Sequence, residues 1–381
     1  MINSLAGSGG AEHGLVREIV RFGGDVDQGV VRLYESDQLA ERLRSAGIES
    51  SGLGLDSGSS GWNWIFGARR LEAEVRRFRP DILHSSLASA NLIAQIAGRW
   101  TSTPVVSTFT LSGDPQLMRR FQPGAASVRA RTLRHVEYAS ARRRHVWFRA
   151  LTGDARETNA KAARLDLSRV RVIPRGVPLP ESQVVPSRRD LGLPEEGTVI
   201  LNVGRQTAQK GHADLVRAFA SIVRRRRAHL VILGRVGDGS EALSRAIATH
   251  RVEPHVTIVP YTDRPYDYYR VADVFAFSSL MEGLGTAVLE AMACGLPVVA
   301  YDIPPVREIA GGGRFASLIP LGDVSQLSRK ILELVERPAV ADELSALAYS
   351  NVVEHYTLEQ VAARLEDYLR QVADIGFEAR H

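Results

Sequence analysis

The chain has 381 residues, 44% hydrophobic and 24% charged, which predicts a globular protein with room for two domains and excludes a disordered one. It contains no run of about 18 apolar residues and no charged start followed by an apolar core, so we expect neither a membrane span nor a secretory signal. Its single cysteine, Cys294, cannot form an internal disulfide, and we expect a cytoplasmic location. The net charge is +5, but only Lys161, Lys210 and Lys330 among the 48 basic residues are lysines, which indicates a compositional bias of the genome and not a nucleic-acid-binding protein.

Short apolar runs alternate with helical stretches in both halves of the chain, the pattern of parallel sheets covered by helices. In the first half the predicted strands are Gly29–Tyr34, Ile48–Leu55, Asp81–His84, Val105–Phe109, Val146–Thr152 and Val170–Ile173. In the second half they are Val199–Val203, Leu230–Leu233, Val256–Val259, Val274–Phe277, Val298–Tyr301 and Phe315–Ile319.

Two features of the first half allow more than one interpretation. His84 ends a predicted strand, where it would either line a ligand cleft or serve as a structural histidine, and the structural role is favoured because histidine is often partly buried. The stretch Arg119–Arg149 has nine arginines and one acid, Glu137. It predicts a solvated face or a surface for anionic lipid, with nucleic-acid binding a weaker third choice. The apolar residues interleaved there are Phe121, Val128, Leu133, Val136, Trp147 and Phe148.

Five prolines between Pro174 and Gly197 predict the domain junction, because proline at that density breaks regular structure. Two doubly wound domains joined there would face each other across a cleft. Ligands of such sheets bind beyond the carboxyl ends of the strands. The cleft would therefore bury two reacting ligands together, one that donates a group and one that accepts it.

The segment Val203–Gly211 carries two cations, Arg205 and Lys210, between a predicted strand and a helix. It is not a phosphate-binding P-loop, because Gln209 stands where that motif has glycine. Cations are mildly unfavourable at a helix start, and lysine is rare in this chain. The presence of both cations here therefore favours a role in ligand binding over a solvated pair. Such cations would neutralise the charge that grows on a departing nucleotide.

Gly234–Gly239 also follows a predicted strand. Its glycine pattern is the reverse of the dinucleotide fingerprint, which argues against NAD. A turn and a ligand-lining loop both fit this segment.

Phe277–Tyr301 is the most informative stretch of the chain. A predicted strand leads into Gly283-Leu284-Gly285, then into a helical run from Thr286 to Ala293, with Glu282 and Glu290 on either side of the glycines. Glycines and a helix start offer N–H groups to a phosphate. Carboxylates would repel a phosphate but accept hydrogen bonds from sugar hydroxyls. The combination predicts a nucleotide-sugar site.

The stretch Leu358–Ile375 has apolar residues spaced by three or four and predicts an amphipathic helix.

Phe277–Tyr301 closely resembles the E-x7-E signature of the family 4 retaining glycosyltransferases (group 1), and the likeness continues through Glu290–Ala300. The resemblance implies the GT-B fold: two Rossmann-like domains facing across a cleft. Residues 1–178 would bind the acceptor and residues 179–357 the nucleotide-sugar. A final helix at about 358–381 would cross back onto the first domain.

The resemblance also implies roles for individual residues. Gly204–Gly211 resembles the family's G-R-x4-K-G segment, so Arg205 and Lys210 would hold the donor diphosphate and act in catalysis with Glu282. Gly7–Glu12 resembles the G-G-A-E segment near the donor phosphate, and Tyr261 lies where the family's backbone meets the nucleobase. The implied donor-binding residues are Gly9, Gly10, Gly204, Gly234, Tyr261, Gly283, Leu284, Gly285 and Glu290.

The chain departs from the family pattern in three places. Only Met1–Leu5 precede the first glycine loop, so the first strand is expected to be truncated or to start upstream. Phe109 and Thr110 stand where the family often has a histidine. At the junction, Arg175 and Pro178 replace the asparagine and aspartate of the N-G-V-D motif.

The sequence thus predicts a retaining, metal-independent transferase that uses a UDP- or GDP-type sugar and a hydroxyl acceptor, with no cofactor. Its expected pathway is the synthesis of a surface polysaccharide or lipid-linked glycan, with a peripheral contact to the inner face of the membrane through Arg119–Arg149. One alternative is a nucleotide-sugar epimerase, which needs an acid/base pair for which only Asp114 and His84 are candidates. The other is a non-enzymatic binder of anionic surfaces.

Overall fold

A computed structural model describes residues 10–34, 39–55, 62–112, 116, 119–120, 128–180 and 185–378. Gly9, Asp114, Phe121 and the predicted first strand at Met1–Leu5 lie outside these ranges. The chain divides into two compact units. Unit 1 comprises Met1–Gly176 together with Leu358–His381, and unit 2 comprises Val177–Thr357.

The described residues of unit 1 form parallel strands in two sheets, at the six places where the sequence predicts strands. Two of these strands, β1 (Gly29–Arg32) and β2 (Glu49–Gly52), pair with each other. The other sheet has the order β3-β4-β5-β6. Its strands are β3 (Leu83–Ser86), β4 (Val105–Phe109), β5 (Val146–Ala150) and β6 (Val170–Val172).

Helices cover the strands of unit 1. They are α1 (Gly10–Ile19), α2 (Ala40–Ser45), α3 (Trp62–Phe78), α4 (Ala88–Thr101), α5 (Val128–Ala141), α6 (Gly153–Ala163) and the C-terminal helix (Leu358–Glu378). The C-terminal helix buries the predicted apolar stripe, including Val361 and Leu365, against Val106 and Ile173. Tyr368 on the same helix donates a hydrogen bond to the carbonyl of Phe148 at 3.0 Å. The last helix is therefore built into the core of unit 1.

An apolar cavity of about 210 Å³ lies beside both sheets of unit 1. It is lined by Val30 of β1 and Leu83 of β3, by Leu15 and Ile19 of α1, and by Leu71 of α3.

Unit 2 has one parallel sheet with the order β12-β11-β10-β7-β8-β9. Its strands are β7 (Thr198–Val203), β8 (Ala228–Leu233), β9 (Val256–Val259), β10 (Val274–Phe277), β11 (Val298–Tyr301) and β12 (Ser317–Ile319). The chain runs outward from β7 to β9 and then returns to place β10 on the other side of β7. This is a topological switch point, and ligands of open α/β sheets bind beside its carboxyl edge.

The helices of unit 2 lie on both faces of this sheet. They are α7 (His212–Val223), α8 (Ser240–His250), α9 (Pro265–Val271), α10 (Thr286–Ala293), α11 (Pro304–Ile309), α12 (Val324–Glu336) and α13 (Pro338–His355). Because both faces are covered, central strand residues such as Ile200 and Leu230 are fully buried. Over the ranges described, neither unit has a helix with the length and apolar character needed to cross a membrane.

Candidate active site

Two loops meet at the switch point of unit 2: Gly204–Gly211 after β7, and Ser278–Gly285 after β10. The amide of Leu280 donates to the carbonyl of Gln209 at 2.7 Å, and Ser278 Oγ donates to the carbonyl of Lys210 at 3.0 Å. Gly211 has φ +62°, and a Cβ there would lie 2.2 Å from the carbonyl oxygen of Ser278. Only glycine allows this backbone approach.

This loop contact brings Lys210 and Glu282 together. Lys210 Nζ lies 2.5 Å from Glu282 Oε1, and the two side chains are 16% and 11% exposed. The ammonium also lies 5.6 Å from the ring centroid of Phe277, within the range of a cation–π contact. An ammonium has three N–H donors, so Lys210 retains the capacity to bind an anion beside Glu282.

A row of backbone amides borders the ion pair. Within the described ranges, the N–H groups of Gly283, Leu284, Gly285, Thr286 and Ala287 donate to no protein acceptor. Gly285 takes φ +92° and precedes α10, so the row ends at the positive end of a helix. Such a row is suited to a phosphate.

Glu290, on α10, is held by two tyrosines of α9. Tyr269 Oη donates to Glu290 Oε2 at 3.1 Å, and Tyr266 Oη donates to Oε1 at 3.4 Å. Burial first, and then the Glu290 charge, hold the pKa of Tyr269 well above its ordinary value, so its phenol remains a donor. The sequence analysis did not identify these tyrosines, although their i, i+3 spacing after Pro265 was the available signal.

The predicted glycine turn after β8 packs against the loop after β7. The amide of Gly204 donates to the carbonyl of Leu233 at 2.9 Å, and Gln206 Nε2 donates to the carbonyl of Gly234 at 2.8 Å. A Cβ on Gly234 would lie 2.0 Å from the carbonyl oxygen of Gly204. Gly234 therefore has a packing role, whatever it contributes to a ligand.

Two further predicted residues face solvent. Arg205 is exposed and makes no ion pair with a described residue. Tyr261 is 63% exposed, and the Arg235 guanidinium lies 4.8 Å from its ring centroid. In the part of the chain that the structure describes, no group of three His, Cys, Asp or Glu side chains is arranged to hold a metal ion.

In unit 1 the described part of the first glycine loop is Gly10, which begins α1. His84 Nε2 lies 3.1 Å from Thr108 Oγ1. Burial, and then the charge of Arg149, hold the pKa of His84 well below its ordinary value, so the imidazole is neutral. These contacts fit the structural interpretation of His84.

The basic stretch Arg119–Arg149 is not one continuous surface. Arg149 is fully buried and donates to both carboxylate oxygens of Glu18, at 2.7 and 2.8 Å. Phe148 lies in the core, and Trp147 packs against the cluster formed with the C-terminal helix, so these two residues do not supply apolar interleaving to an exposed surface. Both faces of β5 are covered, which removes Phe148 and Arg149 from solvent and leaves Trp147 partly buried. Exposed basic residues remain at Arg119, Arg120, Arg131 and Arg142–Arg144.

His212 lies under the two site loops and gives unit 2 a pH dependence. Its Nε2 is 3.0 Å from Asn202 Oδ1, and Asn202 Nδ2 donates to the carbonyl of Ala276 at 2.7 Å. Burial, and then the charge of Lys210, lower the pKa of His212 from 6.5 to about 4. Between these values the unfolded chain binds the proton and the folded chain does not, so stability falls as pH falls.

We therefore expect the free energy of unfolding to be about 2 kcal/mol lower at pH 5 than at pH 7 through His212, because the unfolded chain protonates this residue over that range. His212→Gln should lose this part of the pH dependence, whereas His250→Gln should keep it. The measurement is urea unfolding by circular dichroism at both pH values. An equal pH dependence in wild type and His212→Gln would contradict the assignment.

The sequence and the fold of the chain match those of known proteins. A model described as "Glycosyltransferase Family 4" matches residues 13–180, and one described as "Glycosyl transferases group 1" matches residues 186–351. The chain is 28% identical over 358 residues to 2-deoxystreptamine N-acetyl-D-glucosaminyltransferase of Streptomyces fradiae, covering 90% of this chain and 82% of that protein.

It is also 27% identical over 322 residues to a D-inositol 3-phosphate glycosyltransferase of Thermobispora bispora, covering 80% of this chain and 74% of that protein. Among solved structures, Anabaena HepE in complex with UDP and glucose has a TM-score of 0.82 to this chain at 18% identity. The match covers 97% of this chain and 98% of that one, and at this identity it shows a likeness of fold. The chain therefore belongs to the family 4 (group 1) glycosyltransferases, and it is a sugar-transferring enzyme with the GT-B fold.

Proposed function

We propose that the protein is a retaining, metal-independent glycosyltransferase that takes its sugar from a UDP- or GDP-type donor and transfers it to a hydroxyl group. The observation that carries the proposal is the Lys210–Glu282 ion pair beside the unpaired amides of Gly283–Ala287. The ammonium and the amides match a diphosphate, and the carboxylate matches the hydroxyls of the attached sugar.

In this arrangement Lys210, Arg205 and the start of α10 stabilise the charge on the departing nucleoside diphosphate. The bond between the sugar anomeric carbon and the phosphate oxygen breaks. The acceptor oxygen then bonds to the same face of that carbon, and its proton passes to an oxygen of the leaving phosphate. No protein nucleophile is needed for this sequence.

We propose that Glu290 binds the ribose hydroxyls, because two tyrosines hold its carboxylate in place at the second position of the motif. Gly204 and Gly234 keep the neighbouring loops close enough for this pocket to form. Gly9, Gly10 and Tyr261 complete the proposed donor-binding set.

For the acceptor we propose a component of a surface polysaccharide or a lipid-linked glycan. The names of the relatives specify small acceptors of different charge: 2-deoxystreptamine in one and inositol 3-phosphate in the other. The exposed arginines at Arg131 and Arg142–Arg144 support a peripheral contact with an anionic membrane, without Arg149.

The test is incubation of the protein with a panel of radiolabelled nucleotide-sugars, with and without lipid extract. We expect release of the nucleoside diphosphate and transfer of label to an acceptor from one UDP or GDP sugar. Conversion of one free nucleotide-sugar into another would point to an epimerase. No reaction with any donor, in either condition, would contradict the proposal.

We expect activity to survive EDTA, because side-chain cations and helix-start amides neutralise the leaving group. The measurement is the initial rate after extensive chelation, compared with the rate after addition of magnesium or manganese. A rate abolished by EDTA and restored by either metal would contradict a metal-independent mechanism.

A further inference from the structure

Arg175 is a buried arginine in unit 1 that the transfer reaction does not use. It follows β6 at the place where the chain departs from the N-G-V-D motif that it otherwise resembles, and it is 3% exposed. Its side chain runs along α1. A Cβ on Gly14 would lie 2.7 Å from Arg175 Nη1 and 2.8 Å from its Cδ, so the missing side chain at Gly14 leaves room for the guanidinium.

The one carboxylate in contact with Arg175 is already used by another arginine. Glu18 is fully buried and accepts two hydrogen bonds from Arg149, which also donates to the carbonyl of Ile173 at 2.9 Å. Arg175 Nη1 lies 3.7 Å from Glu18 Oε2, which is too long for a hydrogen bond. The contact therefore joins two buried cations to a single anion.

The two terminal nitrogens of Arg175 have no acceptor among the described residues. Both Nη1 and Nη2 are buried, and neither forms a hydrogen bond with this part of the chain. Burial lowers the pKa of Arg175 to about 10, so the group is still charged at neutral pH. The neighbouring His84 is neutral and supplies no compensating charge. A buried charge with unfilled donors is costly, and a guanidinium presents its donors in the geometry that binds phosphate or carboxylate.

We propose that Arg175 is an anion-binding residue of unit 1 that recognises a phosphate or carboxylate group on the acceptor. The identification of this ligand as the acceptor rests on the proposed function, because that function assigns the donor diphosphate to Lys210 and the start of α10 in unit 2. The anion-binding property itself does not depend on that assignment. Of the two kinds of acceptor named by the relatives, an anionic one would suit this residue.

The test uses thermal unfolding of the whole protein in inorganic phosphate, malate or chloride at matched ionic strength. Wild type is compared with Arg175→Met, and Arg144→Met serves as a control that removes an exposed arginine of the same unit. In chloride, Arg175→Met should be at least as stable as wild type, because it removes a buried charge without partners. Phosphate or malate at about ten times its dissociation constant should raise the Tm of wild type by roughly 3–6 °C.

In malate that rise should vanish in Arg175→Met, and in phosphate it should shrink to the part that the Lys210 site of unit 2 contributes. Both rises should persist in Arg144→Met. The phosphate and malate arms show which anion is preferred. Equal stabilisation of wild type and Arg175→Met, no stabilisation of wild type, or loss of stability of Arg175→Met in every salt would each overturn the proposal.

Binding of UDP and GDP by calorimetry separates this proposal from the proposed function. Arg175→Met should bind the nucleotide as wild type does. If neither protein binds UDP or GDP, the donor assignment fails and the anion result still stands. If nucleotide binding is lost only in Arg175→Met, Arg175 belongs to the donor site and the proposal is wrong.

Discussion

Lys210→Ala is expected to lower kcat/KM for the nucleotide-sugar donor by roughly 10- to 100-fold. The substitution removes a charge-assisted contact to a diphosphate, which contributes about 1.5–3 kcal/mol. It also leaves Glu282 without its cation, next to the negative charge of the donor. The measurement is steady-state kinetics over a range of donor concentrations, with circular dichroism as a check of folding. Arg205→Ala should act in the same direction.

Lys330→Ala is the matched control for this experiment. Lys330 is the other lysine of unit 2, and its ammonium also contacts a glutamate, Glu333, at 2.8 Å on α12. A partly exposed pair within one helix contributes little, so its loss should leave the kinetics unchanged. Unchanged kinetics in Lys210→Ala, or equal losses in both variants, would remove Lys210 from the site.

Glu282→Gln and Glu290→Gln are expected to have different kinetic effects. Glu282 lies beside Lys210 and the unpaired amides, so its contact with the transferred sugar should strengthen as the glycosidic bond breaks, and Glu282→Gln should mainly lower kcat. Glu290 is assigned to the ribose, which does not react. Loss of its charge removes uniform binding and should mainly raise the donor KM.

The fold should survive both substitutions. A glutamine at position 290 keeps a side-chain oxygen that can accept from Tyr269, and the direct measurement is the affinity for free UDP and GDP. We expect weaker nucleotide binding in Glu290→Gln and nearly normal binding in Glu282→Gln. If Glu282→Gln abolishes nucleotide binding while Glu290→Gln leaves it untouched, the donor lies in the opposite direction.

Local patterns were sufficient for the secondary structure around the site. The predicted strand Val274–Phe277 and the helical run Thr286–Ala293 have the same limits in the structure, because an apolar run, a glycine turn and a helical stretch are each determined by neighbouring residues. Six strands were expected in each half, and the residues that the structure describes form six in each unit.

Contacts between distant residues could not be predicted in the same way. Lys210 and Glu282 are 72 positions apart, and Arg149 and Glu18 are 131 positions apart, so each pair depends on the order of strands in a sheet. The tyrosine contacts of Glu290 likewise require α9 to pack beside α10.

The error in the basic stretch has a different cause. Counting arginines between Arg119 and Arg149 treats the segment as one surface, although Val146–Arg149 belong to a strand, β5. Successive side chains of a strand point to opposite faces, and both faces of this strand are covered. Arg149 is therefore directed into the interior, where Glu18 compensates its charge.

The glycine contacts between the loops of unit 2 also affect the entropy of donor binding. Gly211 fits against Ser278, and Gly234 fits against Gly204, through contacts made within unit 2. Ordering a flexible residue costs about 1–2 kcal/mol, and a loop that must be ordered on binding subtracts that amount from the affinity. Here the loops around Lys210 and Glu282 are fixed by the folding of unit 2 itself. The nucleotide-sugar therefore meets a site whose conformational entropy has already been lost, and more of its contact energy can appear as affinity.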